Sequence, residues 1–182
     1  MKKFTLLQKL RNKIRIKGSV TLSLAKNVKI TNSDISIKGK NNSLTIEDGV
    51  TIRYTQIELL GDNCSLYIGK NTIVGHGCYL SAKEGKKLVI EDECMLSRNV
   101  KIMTSDGHFI YIDTTVINEG KDIAIGKHVW LADNVTVLKG VDIGEGSVIG
   151  INATVTKNIP AFSIAVGNPA VVVKKGITNW RH

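Results

Sequence analysis

The stretch IGKHVWLADNVTVLKGVDIGEGSVIGINATVTKNIP, residues 125–160, repeats every six residues. Ile125, Leu131, Val137, Ile143, Ile149 and Val155 head its units. Four places after each head stands a small or β-branched residue: Val129, Val135, Val141, Ser147, Ala153 and Ile159. One place after the head stands Gly126, Ala132, Gly144 or Gly150 in four of the six units. An amphipathic helix would repeat near 3.6 residues and a half-buried strand every two, so neither template fits. Short strands on the faces of a triangular prism do fit. Three six-residue sides make one turn, and each head points inward onto its equivalent 18 residues later. The small residue after the head is expected to turn the corner, where glycine takes positive φ at little cost.

Upstream the hexads persist with a longer superperiod: Leu24, Ile46, Ile68 and Ile90 are each 22 residues apart. The extra residues fall near GKNN (39–42), GDNC (61–64) and EGKK (84–87), all rich in turn formers. This predicts a column of corner loops on one edge of stacked turns, with adjacent turns about 4.8 Å apart. The rhythm then breaks at MTSDGHFIYIDTTVINEGKDI, residues 103–123, which is too long for one corner. Excursions of this length are usually functional or disordered, and Phe109, Ile110, Tyr111 and Ile112 argue against disorder.

At the amino end, MKKFTLLQKLRNKIRIK (1–17) is basic, with Phe4, Leu7, Leu10 and Ile14 at helix-like spacing. It has no uninterrupted apolar run, so it reads as neither signal peptide nor membrane span. A helix there would either cover the open end of the solenoid or rest on an anionic membrane surface. The division expected is thus 1–17 as a basic, helical segment, 18–166 as solenoid with an active-site loop at 103–122, and 167–182 as a tail. That tail, released at Gly167, Asn168 and Pro169, would cap the last turn.

The 182 residues suit one domain. Aromatics make up only 5% and glycines number 17, so the core must be built from aliphatic stacks and tight corners. The net charge of +9 favours an anionic partner: a phosphate-bearing ligand, an acidic glycan or a membrane face. No basic stretch is interleaved with stacking aromatics, so nucleic acid is set aside. Cys64, Cys78 and Cys94 form no CxxC pair and are odd in number. They suit a reducing, cytoplasmic compartment, and Cys78 and Cys94, four places after Val74 and Ile90, read as packing residues.

Of the four histidines, His182 ends the chain and His76 and His128 sit at corners. His108 differs, because it lies in the excursion, two residues after Asp106. Trp130 is a second outlier, a large aromatic at an outward-facing position. It calls for a partner: a ligand, the tail or a neighbouring subunit.

The hexads, the segment VWLADNVTVLKGVDIGEGSVIG, the following VTKNIP and AVGNPAVVVKK, and TSDGH upstream together resemble the hexapeptide-repeat acyltransferases. The likeness is nearest to bacterial polysaccharide and sialic-acid O-acetyltransferases. It implies an all-β fold, a left-handed parallel β-helix, working as a homotrimer with the donor groove between adjacent prisms. It implies transfer of acetyl from acetyl-CoA to a sugar hydroxyl, with His108 as general base and no metal. Trp130 would lie beside the thioester. Pantetheine would run along Ala132, Asp133, Gly150, Ile151, Thr156 and Lys157, and the nucleotide end near Asn168, Pro169 and Lys174. Asp133 and Ile151 depart from the family pattern: a carboxylate beside a forming oxyanion is repulsive, and Ile151 narrows the channel. Asp106, Asp113 or a backbone carbonyl remain open as the group orienting the His108 ring.

Other readings stay open on the residues alone. One is N-acetylation of an amino sugar or antibiotic on the same fold. A metal enzyme on the same prism would need close-paired histidines, which are absent. A non-catalytic binding module would have no use for the excursion. Location is expected to be cytoplasmic, at the inner face of the membrane.

Overall fold

The computed structural model describes residues 4–181, so residues 1–3 of the basic segment and the terminal His182 lie outside the described residues. The chain winds into a three-sided parallel β-solenoid. Side one stacks Ile30, Ile52, Val74, Leu96, Leu131, Ile149 and Ala165. Side two stacks Ile35, Ile57, Leu80, Ile102, Val137 and Val155. Side three stacks Leu24, Ile46, Ile68, Ile90, Ile125 and Ile143. Most of these residues are fully buried, and together they form one continuous core. Since every turn buries its inner face only against its neighbours, the turns stand or fall as a stack.

The edge between sides two and three takes up the variation in turn length. Strands Lys13–Leu24 and Asp34–Ile46 run around it unbroken, so no loop forms at residues 39–42. Gly18 and Gly39 sit there at φ +113° and +115°, each within backbone-contact range of the glycine one turn above. A Cβ on Gly39 would lie 2.1 Å from Gly61 O, so only glycine fits. Three turns after Gly39 the same edge releases residues 104–122.

The corners correct one expectation. Gly126, Gly144 and Gly150, directly after the heads, do not adopt positive φ. The left-handed residues stand two places further on: His128, Asn134, Gly140, Gly146 and Asn152, with φ between +54° and +76°. Asparagine is one of the few side chains that tolerates this region, through local hydrogen bonding. Here Asn99 Nδ2 donates to Asn134 Oδ1 (3.0 Å) and Asn134 Nδ2 to Asn152 Oδ1 (2.9 Å), a ladder along the edge between sides one and two. The glycines after the heads serve close approach instead, as a Cβ on Gly144 would sit 2.3 Å from Ala161 N.

The three cysteines are reduced and buried. Burial pushes the Cys78 thiol up to about 11 and the Cys94 thiol up to about 12, so both behave as small apolar fillers.

At the amino end the helix covers only Leu6–Arg11, and the chain is already a strand from Lys13. Phe4, Leu7, Leu10 and Ile14 therefore do not share a helical face. Phe4 is buried, Leu7 and Leu10 are exposed, and Ile14 packs on the core from its strand. Thr5 and Gln8 close a capping box at the helix start. No described helix is long and apolar enough to cross a membrane. At the other end Ser163–Val166 adds a last parallel strand to side one, and Val171–Lys175 returns antiparallel to it. That step shortens the turn to 16 residues, since Ile149 pairs with Ala165.

Gly144→Ala should destabilise the protein by about 1–3 kcal/mol, the usual cost of overpacking against an unyielding backbone. Chemical denaturation of the two proteins checks this.

Candidate functional site

The excursion is an anchored hairpin. Tyr111 and Ile112 pair with Val116 and Thr115, and Asp113 at the turn adopts φ +52°. Its base is tied to the prism from three directions. The Glu84 carboxylate accepts from Ser105 Oγ and from Gly120 N, Lys121 N donates to Thr104 O, and Lys139 Nζ donates to Asp106 Oδ2 and to Asn118 O. Asn118 joins the two arms beside His108. Its Nδ2 donates to His108 O and to Asp106 Oδ2, both at 2.8 Å, while its Oδ1 accepts from Ile110 N at 2.6 Å.

His108 is thus held through its backbone, with its ring exposed. Asp106, one of the groups considered for orienting that ring, is occupied elsewhere. Hydrogen bonding from Lys139, helped by Asn118, holds its carboxyl below the usual aspartate range. Asp113 is at the hairpin tip. Phe109, Ile110, Tyr111, Ile112 and Ile117 are all more than half exposed, so the hairpin leaves an apolar surface uncovered in the single chain.

Trp130 faces outward from side one, between Met95 and Val148 in the neighbouring turns. Its Nε1 donates to Ser97 Oγ at 3.0 Å. The tail reaches this face: Trp180 stacks on His128 with ring centroids 4.3 Å apart and lies 5.9 Å from Trp130. Trp180 Nε1 donates to His128 O, and His128 Nε2 meets Asn179 Oδ1 at 3.0 Å. His128 is therefore packed under the tail rather than being a solvated corner histidine.

Ala132, Gly150 and Val166 stand one above another at the edge between sides one and two, with Asp133 and Ile151 beside them. Asn168 and Pro169 follow Gly167 at the end of this edge. Thr156 and Lys157 lie on a different edge, between sides two and three, where the His108 hairpin is rooted. Lys174 is exposed on the returning strand, opposite Ile164. One chain thus brings Ala132, Asp133, Gly150, Ile151, Asn168 and Pro169 together. It keeps them a full side away from the root of the His108 loop.

Asp133 is turned aside. Its Oδ1 accepts from Arg98 N at 2.9 Å and its Oδ2 from Arg98 Nε at 3.0 Å, and this hydrogen bonding lowers its pKa. The repulsion expected of a free carboxylate is thereby relieved. Ile151 is 61% exposed and projects from the edge. Among the described residues no group of three His, Cys, Asp or Glu side chains could hold a metal ion.

Sequence reasoning missed Asn118, Lys139, Glu84, Arg98 and Trp180. Asn118 was detectable in principle, since the apolar run before Asp113 and the Thr115–Ile117 segment form a hairpin pattern that sets 118 across from 109, next to His108. The others reach their partners only through the stacking of turns.

Asn118→Ala should speed hydrogen exchange of the Ile110 and Ile117 amides by about tenfold, the equivalent of one or two hydrogen bonds. The Asp106 contribution has a defined pH sense. Its folded pKa is depressed, so stabilisation is full above the unfolded value of about 3.9 and lost as pH falls through the folded one. Exchange corrected for its intrinsic pH dependence should stay level from neutrality to about pH 5 and rise in stronger acid. Lys139→Met should show the fast exchange already at neutral pH.

Comparison with known proteins agrees with this fold. No family model matches the chain. The polysialic acid O-acetyltransferase of Neisseria meningitidis is 42% identical over 119 residues, which is 64% of this chain and 54% of that protein, so the chain spans about half the length of this curated relative. The solved structure of the polysialic acid O-acetyltransferase OatWY superposes with a TM-score of 0.83 at 34% identity, covering 94% of this chain and 88% of that one. A hexapeptide-repeat acetyltransferase of Vibrio cholerae, solved with acetyl coenzyme A, superposes with a TM-score of 0.52 at 25% identity over 60% of each chain. The six-residue columns, the three-sided parallel stack and this likeness over nearly the whole chain agree: the protein belongs to the hexapeptide-repeat, left-handed β-helix acetyltransferase family.

Proposed function

We propose that the protein is an acetyl-CoA-dependent O-acetyltransferase acting on a hydroxyl of a bacterial surface-polysaccharide sugar, with His108 as general base. The observation that carries this reading is the anchored hairpin. A bare solenoid has no use for it, yet Asn118, Lys139 and Glu84 all serve to hold the segment on which His108 is exposed. The polysialic acid named for the relatives supports a polymeric glycan as acceptor.

In the reaction the acceptor oxygen attacks the thioester carbonyl while its proton passes to the His108 ring. The oxyanion collapses, the C–S bond breaks, and the leaving coenzyme A thiolate takes the proton from His108. A base so placed contributes about a hundred- to ten-thousandfold, and holding both reactants together contributes more. The donor would run along the open edge of Trp130, Ala132, Asp133, Gly150 and Ile151. The small side chains of Ala132 and Gly150 suit a thin pantetheine arm. Thr156 and Lys157 would meet it from the other edge, and Asn168, Pro169 and Lys174 would receive the nucleotide, the lysine as a point charge for phosphate. With Asp133 bound to Arg98, the oxyanion donor would be a backbone N–H.

The two sets of residues lie on different edges of one prism. A complete site therefore calls for a neighbouring copy, and the uncovered apolar hairpin supports a homotrimer in which adjacent prisms face each other. With this reading goes a cytoplasmic location at the inner face of the membrane, supported by the basic amino-terminal segment.

Thiol release from acetyl-CoA should depend on a polysaccharide acceptor and fall at least about a hundredfold in His108→Ala, with acetyl-CoA binding retained. Full activity in a folded His108→Ala protein would remove the histidine from the mechanism.

A further inference from the structure

The charge of this chain is segregated. Residues 1–33 contain nine Lys and Arg and no Asp or Glu, while residues 34–182 contain sixteen of each. The net charge of +9 is therefore matched by the excess of cations in residues 1–33, of which Lys9 to Lys29 lie among the described residues.

The helix Leu6–Arg11 organises that end. Its inner face is polar: Gln8 Nε2 donates to Val28 O (3.5 Å), and Asn12, just past the helix, donates to Ile30 O (2.9 Å). Its outer face carries Leu6, Leu7 and Leu10, which are 75%, 55% and 75% exposed. At about 100° per residue these leucines share one arc, with Lys9 on one flank and Arg11 on the other. Beside the helix runs an open groove of about 400 Å³, lined among others by Leu7, Val28, Arg11, Lys26, Lys29 and Arg53. No carboxylate lines this groove. Among the described residues the ion pairs at this end are those of Lys13 and Arg15 with Asp34, which leaves Lys9 and the groove cations unpaired.

We infer that the amino-terminal end of the prism is a docking surface for an anionic phospholipid bilayer. The leucines enter the interface and the cations meet lipid phosphates. Charge complementarity alone would also suit an acidic glycan, but such a chain gains nothing from three exposed leucines. An apolar arc flanked by Lys and Arg is the arrangement of an interfacial helix. The inference gives the membrane location a surface and a lipid chemistry. It is independent of the transfer chemistry, so its failure would leave the role of His108 untouched.

Co-sedimentation of the full chain tests this, using vesicles of phosphatidylcholine alone and of phosphatidylcholine mixed with phosphatidylglycerol. Binding is expected to the mixed vesicles and to weaken with added salt. Lys26→Glu with Lys29→Glu should lower it by about tenfold or more, since each cation near an anionic surface is worth about fivefold. Leu6→Ser with Leu10→Ser should lower it by a similar factor, because acidic vesicles would then be held by charge only. All four side chains are solvent-facing, and matching thermal melting of the variants separates lost docking from lost folding. Equal binding to neutral vesicles would overturn the inference. So would unchanged vesicle binding in the leucine variant together with wild-type binding to a soluble polyanion such as heparin, which would mark a glycan surface. Vesicle-free self-association that disappears in the leucine variant would assign the face to a second copy of this chain and overturn it equally.

Discussion

Backbone hydrogen bonds in this protein run between turns rather than within them, and most other features follow from that. Each side strand bonds to the strand above and the strand below, so its residues must keep register with both. An inward residue displaced by one place would send a whole column of Ile, Leu and Val to water. The sides are therefore invariant in length along the stack, and any residue that does not fit the period must leave at a corner.

One corner absorbs nearly all of that variation. The edge between sides two and three carries the stacked glycines of the early turns, then the bends at 61–64 and 84–87, and then the hairpin with His108. The same edge supplies what steadies the hairpin, because Glu84 lies one turn below and Lys139 one turn above. A solenoid places such groups in line without any long-range folding problem. Chain segments 21 and 33 residues apart become neighbours simply by stacking, as Ser105 does with Glu84 and Asp106 with Lys139.

The other edges carry different loads. Between sides one and two the asparagine ladder fixes the corner geometry, and Arg98 draws off the Asp133 carboxylate beside it. Between sides three and one, His128 is roofed by Trp180, so the returning tail runs back along this edge and reaches the face of Trp130. At the opposite end the first turn is closed by a short helix whose buried contacts are polar hydrogen bonds, which leaves its leucines outside. The two ends of the prism are thus closed by different physics.

The architecture was readable from the sequence because its signal is periodic. Heads at six-residue spacing, the 22-residue superperiod and the break at 103–123 each report burial or its interruption directly along the chain. His108 could be singled out because the repeat has no use for it. The sequence could not show which corner residue takes the left-handed conformation. Glycine was the expectation, whereas Asn134, Asn152 and His128 do so while Gly144 and Gly150 admit a neighbouring turn. Nor could helical spacing at the amino end show that Ile14 already belongs to a strand, since pairing with the next turn overrides local propensity. Partnerships such as Arg98 with Asp133, or Asn118 with the two arms of the hairpin, depend on turn height and loop path. Periodicity specifies which residues point inward, but only the stacked structure decides which outward groups face each other.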